Sequence, residues 1–215
     1  MRYRIIVVWI ICIAALLLSS SVAAVSDSLL KRPRAAWEFD RNKNATDVDH
    51  LGQGWDAIYS ASRASGDKKS FFYTVAEGEF KYVLSGFNNK KVKISRPELY
   101  AIKGLAEVAV QTNKFILVIP YYEKQLIREP NTVYFRYQYA QYLERFDKLT
   151  EAIKLIIAAI EVSPKKYKSK LHNYLGLLYV KNEQYDLAKS EVEKAEKLGG
   201  VNTKKLRREL EEHLQ

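Results

Sequence analysis

The sequence predicts an all-α chain, an array of antiparallel helix hairpins closed by a C-terminal helix. Three observations carry this expectation. In residues 167–198, Leu175, Gly176 and Tyr179 fall at i, i+1 and i+4, and Ala188, Val192 and Ala195 at i, i+4 and i+7. That spacing lets two helices pack their inner faces with small residues at the closest approach. Pro130 and Pro164 stand 34 residues apart, the period of a repeating helical hairpin. Between Arg96 and Gly199 the apolar pattern stays helical almost without a break.

The chain begins differently. Arg2 and Arg4 precede the uncharged run 5–18, followed by Ser19, Ser20, Ser21, Val22, Ala23 and Ala24. A basic start, an apolar run and a small-residue exit describe a secretory signal peptide over residues 1–25. The alternative is a retained membrane anchor, since no charge interrupts residues 5–26 and such a length can cross a bilayer. Either way the expected location is exported and periplasmic, soluble after cleavage or tethered to the inner membrane by residues 5–25. The single cysteine, Cys12, lies in this segment, so the exported part has no disulfide and no cysteine metal site. Its stability must come from a hydrophobic core.

Residues 26–46 are polar and mixed in charge and read as a linker. Asp40, Asn42 and Asn44 imitate the start of a calcium loop. Ala45 and Leu51 stand where such a loop needs glycine and glutamate. Residues 47–95 read as an N-terminal helical hairpin. Asp47 is a candidate N-cap, and Leu51, Trp55, Ile58 and Tyr59 form the apolar face of the first helix. Ser65 and Gly66 break the pattern, and Phe72, Val75, Phe80, Val83 and Leu84 line the second helix. Tyr82-Val83-Leu84 and Val92-Lys93-Ile94 could also form short strands.

Three hairpins follow over residues 96–200. The third carries Leu175, Gly176, Tyr179, Ala188 and Ala195, with Val192 and Gly200 as variants. The second carries Tyr139, Ala140, Leu143, Ala152, Ile156, Ala159 and Pro164. The first carries Leu105, Ala106, Ala109, Tyr122 and Pro130, but Val118 and Gln125 replace small residues. These positions resemble the tetratricopeptide repeat, whose hairpins stack into a right-handed solenoid. The offset from the second hairpin to the third is 36, which places a two-residue insertion near Lys165–Lys168. Gly176 costs a helix interior about 1 kcal/mol, so a neighbouring helix should lie against it. Gly199 and Gly200 end the last repeat helix. Asn202 then caps a helix over 201–215, with Val201 and Leu206 placed as a staple and Leu206, Leu210 and Leu214 in one stripe.

Catalysis finds little material here. His50, His172 and His213 are scattered, and no phosphate-loop, nucleophile-elbow or zinc-helix motif is present. Asp47, Asp49 and His50 read as a helix N-terminus, where carboxylates offset the dipole. No cofactor, metal or catalytic residue is expected. The resemblance instead implies binding of a protein or peptide along the first helix of each hairpin. By register that face contains Tyr100, Lys103, Gly104 and Glu107; Tyr134, Tyr137, Gln138 and Gln141; and Lys170, Asn173, Tyr174 and Leu177. Tyrosine rings supply area at low entropic cost, and amides can bond a peptide backbone. The competing reading makes some of these tyrosines core.

Some members of the family grip a C-terminal carboxylate with lysine, asparagine and arginine. Lys103, Gln138 and Lys170 echo that clamp in part, while Glu107 and Tyr174 depart from it. Net charge adds an alternative. Without Arg2 and Arg4, 33 basic residues face 25 acidic ones. Lys165, Lys166, Lys168 and Lys170 gather at one hairpin junction, a patch suited to anionic lipid or polysaccharide. Nucleic acid is out of reach of an exported protein. A third expectation is a structural subunit anchored through residues 1–25.

Overall fold

The computed structural model describes residues 45–86 and 94–213. Expectations for the N-terminal signal or anchor, the calcium-like run at Asp40, most of the linker and the strand alternative at Val92 and Lys93 therefore lie outside the described residues. Two compact units divide the chain after Gly86.

The first unit is a hairpin of α1 (Ala45–Arg63) and α2 (Gly66–Ser85). Leu51, Trp55 and Ile58 of α1 and Ala76, Phe80 and Val83 of α2 are buried. The Trp55 and Phe80 rings meet edge to face at 5.6 Å. Gly54 is needed at this contact, because a Cβ there would stand 2.6 Å from the Phe80 ring. Tyr82, Val83 and Leu84 are helical, so the strand alternative does not hold for them. Helix α1 starts at Ala45, which puts Asp47 in its first turn rather than at the cap.

The second unit runs through α3 (Arg96–Gln111), a 3₁₀ turn (Phe115–Leu117), α4 (Ile119–Arg128), α5 (Val133–Arg145), α6 (Leu149–Val162), α7 (Lys165–Lys181), α8 (Tyr185–Leu198) and α9 (Lys204–His213). No strand occurs among the described residues. The fold is an all-helical array of hairpins. Helix α5 pairs with α6, α6 with α7, and α7 with α8, while α9 covers α8 and touches α7.

The repeat is written in the backbone at the hairpin turns. Asn113, Asp147 and Glu183 adopt positive φ of 55°, 57° and 58°. In each turn the next residue's amide reaches back five positions: Lys114 to Ala109 at 2.8 Å, Lys148 to Leu143 at 2.9 Å, and Gln184 to Tyr179 at 2.9 Å. These bonds satisfy carbonyls that the helix end would leave orphaned. The turns are separated by the same 34 and 36 residues that the sequence spacing predicts.

Ala140, Ala152, Ile156, Ala159, Leu171, Leu175 and Leu178 form one core cluster, and Val180, Ala188, Val192, Leu206 and Leu210 form the next. The first hairpin is less regular. Its second helix starts only at Ile119, after the 3₁₀ turn. Pro120 lacks an N–H and crowds the carbonyl one turn back, so an α-helix cannot run through from Phe115. At the C-terminus, Asn202 Oδ1 accepts from the Lys204 amide at 3.1 Å, and the helix itself begins at Lys204.

Candidate functional site

Helices α3, α5 and α7 carry the predicted binding face, and side chains stitch them together along it. Ser95 caps α3 by accepting from the Glu98 amide, and Thr132 caps α5 by accepting from the Phe135 amide. These caps set where each helix starts, and thus which residues share a stripe. Near the helix N-termini, Lys103 Nζ lies 5.7 Å from the Tyr100 ring centre and 5.5 Å from that of Tyr134. Two rings thus flank one ammonium, each offering its electron-rich face. Burial lowers the Lys103 pKa, with the Tyr100 interaction opposing that shift. Tyr134 stays 40% exposed, and burial of its hydroxyl pushes its pKa up to about 12.

In the middle of the face the Tyr137 and Tyr174 rings meet at 5.0 Å. Gln141 Nε2 donates to the Tyr137 hydroxyl at 3.3 Å, and Gln138 Nε2 donates to Gln141 Oε1 at 3.2 Å. Burial raises the Tyr137 pKa, helped by the Glu144 carboxylate. Burial, with the Glu144 carboxylate beside it, raises the Tyr174 pKa too, so both hydroxyls stay neutral at physiological pH. Tyr137 is half-buried, whereas Tyr174 is buried and its hydroxyl donates to Glu144 Oε2 at 2.5 Å. Leu177 is half-buried between the two core clusters. Asn173 is half-buried, and its Oδ1 is buried without a hydrogen-bond partner. Lys170, one turn before Tyr174 on α7, is exposed.

Towards the helix C-termini the charges are already matched. Glu107 is 4% exposed. Arg145 Nη1 donates to its Oε2 at 2.7 Å, Arg145 Nη2 to its Oε1 at 3.4 Å, and Gln111 Nε2 to its Oε1 at 2.8 Å. Lys181 pairs with Glu144. Glu107, Gly104 and Tyr174 are thus packing positions, and the accessible members of the predicted set are Tyr100, Lys103, Tyr134, Tyr137, Gln138, Gln141, Lys170, Asn173 and Leu177. Sequence reasoning passed over Gln111, Arg145 and Lys181. Each stands four residues beyond Glu107, Gln141 and Leu177, so extending the stripe by one helical turn finds them.

Lys165, Lys166 and Lys170 are exposed and Lys168 half-buried at the start of α7. Pro164 is the N-cap and supplies no side-chain bond, and the first turn has no acidic residue. Elsewhere, His50 Nδ1 bonds Glu79 Oε2 across the first hairpin at 2.5 Å, and its ring lies 3.8 Å from that of Tyr82. His172 Nδ1 bonds Glu191 Oε2 at 2.6 Å. Both histidines bridge the two helices of a hairpin. Among the described residues no three His, Cys, Asp or Glu side chains converge as metal ligands, and no helix is long and apolar enough to cross a membrane.

No protein-family model and no curated protein sequence matches this chain. Among solved structures, MamA MSR-1 C2 is similar with a TM-score of 0.46 and 15% identity, covering 75% of this chain and 95% of its own. MamA RS-1 ArsTM double mutant is similar with a TM-score of 0.46 and 19% identity, covering 86% of this chain and 93% of its own.

Proposed function

We propose that this protein is a binding scaffold that holds an extended segment of another protein along the face of α3, α5 and α7. The observation that carries the reading is the row of half-exposed tyrosines, Tyr100, Tyr134 and Tyr137, set among the Gln138 and Gln141 amides and fixed by contacts between successive hairpins. Rings that keep their place by packing lose little entropy when a partner arrives, and amide groups can bond a peptide backbone. No step of chemistry is assigned to the site. With the N-terminal reading, the scaffold is exported and works within an envelope assembly.

The double variant Tyr137→Ala with Lys170→Glu is expected to abolish partner capture while helicity by circular dichroism stays unchanged. Capture is read by photo-crosslinking from position 137 in the native envelope. A variant that still captures the same partner removes this face from the proposal.

A second reading draws on the lysines at the start of α7, none of which pairs with a carboxylate among the described residues. It makes Lys165, Lys166, Lys168 and Lys170 a contact for anionic lipid or polysaccharide. That attachment would weaken steeply with added salt, unlike a mostly apolar peptide contact.

A further inference from the structure

The charge on the candidate face is arranged asymmetrically along its helices, and this says what the bound segment carries. Both carboxylates of the stripe lie on its C-terminal half and are neutralised inside the protein. Glu107 holds the Arg145 guanidinium and the Gln111 amide, and Glu144 holds Lys181 and the Tyr174 hydroxyl. The N-terminal half has cations without such partners. Lys103 rests between the Tyr100 and Tyr134 rings, and no carboxylate pairs with it or with Lys170 among the described residues. Lys165, Lys166 and Lys168 continue the positive stretch one turn further towards the start of α7. The N-terminal ends of α3, α5 and α7 add their partial positive charge on the same side.

We infer that the partner segment is acidic, an internal stretch whose Asp or Glu side chains lie over Lys103 and Lys170 while its apolar residues meet Tyr134 and Tyr137. This inference rests on the peptide-binding reading above and names the chemistry of that same face. The half-buried setting of Lys103 supports it: burial disfavours its ammonium, a cost that an arriving carboxylate would offset. An internal stretch fits better than a chain terminus. A terminal carboxylate needs several donors converging on one point, and here Glu107 occupies Arg145 while Glu144 occupies Lys181 and Tyr174.

The test is a random 12-residue peptide library, displayed by fusion through its C-terminus so that no free terminal carboxylate exists. It is panned on the full chain and on full-chain Tyr137→Ala with Lys170→Glu. Binders that need the native face should be enriched in Asp and Glu. Made as amidated synthetic peptides, they should bind about tenfold more weakly to Lys103→Gln, the scale of one charge-assisted hydrogen bond in a partly desolvated site. Lys103→Arg, which keeps the charge, should restore most of that affinity, and circular dichroism of each variant checks the fold.

Enrichment of neutral or basic peptides that still depend on Tyr137 would overturn the acidic assignment and leave the peptide face standing. Binding that appears only when synthetic peptides carry a free C-terminal carboxylate would overturn the internal placement. No face-dependent enrichment, with the full chain instead sedimenting with phosphatidylserine-containing vesicles in a lysine-dependent manner, would overturn both and favour the lipid reading.

Discussion

Gly176 shows how a single residue ties a sequence irregularity to packing. A glycine in the interior of α7 forfeits helix propensity, and its neighbours explain why it stands there. A Cβ at this position would meet Leu206 Cδ2 and Val192 Cγ2 at 3.3 Å and the Ala188 carbonyl oxygen at 3.4 Å. Two of those atoms end side chains that can yield by a few tenths of an ångström. Gly176→Ala is therefore expected to stay within about 1 kcal/mol of the wild type, crowding set against a propensity gain of similar size. Gly176→Leu has no room and is expected to cost about 2–3 kcal/mol by overpacking. Urea unfolding of both variants checks the pair; equal stability would mean that α8 and α9 do not need the close approach. Other residues were harder to read. Glu107 has the spacing of an exposed groove contact, yet it is buried against Arg145, 38 positions away. Local spacing places a residue on a stripe but does not reveal which distant side chain arrives beside it.

At the scale of elements, the first hairpin shows how a departure from the repeat is accommodated. Gln125 replaces a small residue and is 1% exposed. Its Nε2 donates to Glu98 Oε1 at 2.7 Å, and Arg128 Nη1 donates to the same oxygen at 2.5 Å. A buried polar network thus joins α3 to α4 where the other hairpins use close-packed alanines. Removing one member of a buried ion pair leaves its partner uncompensated, whereas replacing both with apolar residues can be nearly neutral. Arg128→Met is accordingly expected to cost about 3–5 kcal/mol, and Glu98→Met combined with Arg128→Met clearly less. Additive losses in thermal or urea unfolding would refute coupling through this pair. The departure at Val118 and Gln125 was visible in the sequence, whereas the late start of α4 next to Pro120 was not read from it. That Glu98 answers Gln125 across 27 positions was not.

Along the whole sequence, an apolar start with a basic flank precedes a lysine-rich body. We expect a reporter fused to the C-terminus and active only outside the cytoplasm to be active, and to lose activity when the 5–18 run is interrupted by two arginines. Mass spectrometry of the mature protein then separates cleavage after residues 23–24 from a retained anchor. A reporter that remains inactive would remove the export proposal and leave the binding face untouched. Helix period, glycine and proline punctuation and the recurrence of small residues act over a few turns of chain. They were enough to predict helices, an all-helical array of hairpins and the 34- and 36-residue offsets that reappear at Asn113, Asp147 and Glu183. Which tyrosines stay accessible, which carboxylates are neutralised and where unpaired positive charge remains depend on side chains about 30 to 40 residues apart meeting across hairpins. Those meetings are products of packing, and no local pattern in the chain encodes them.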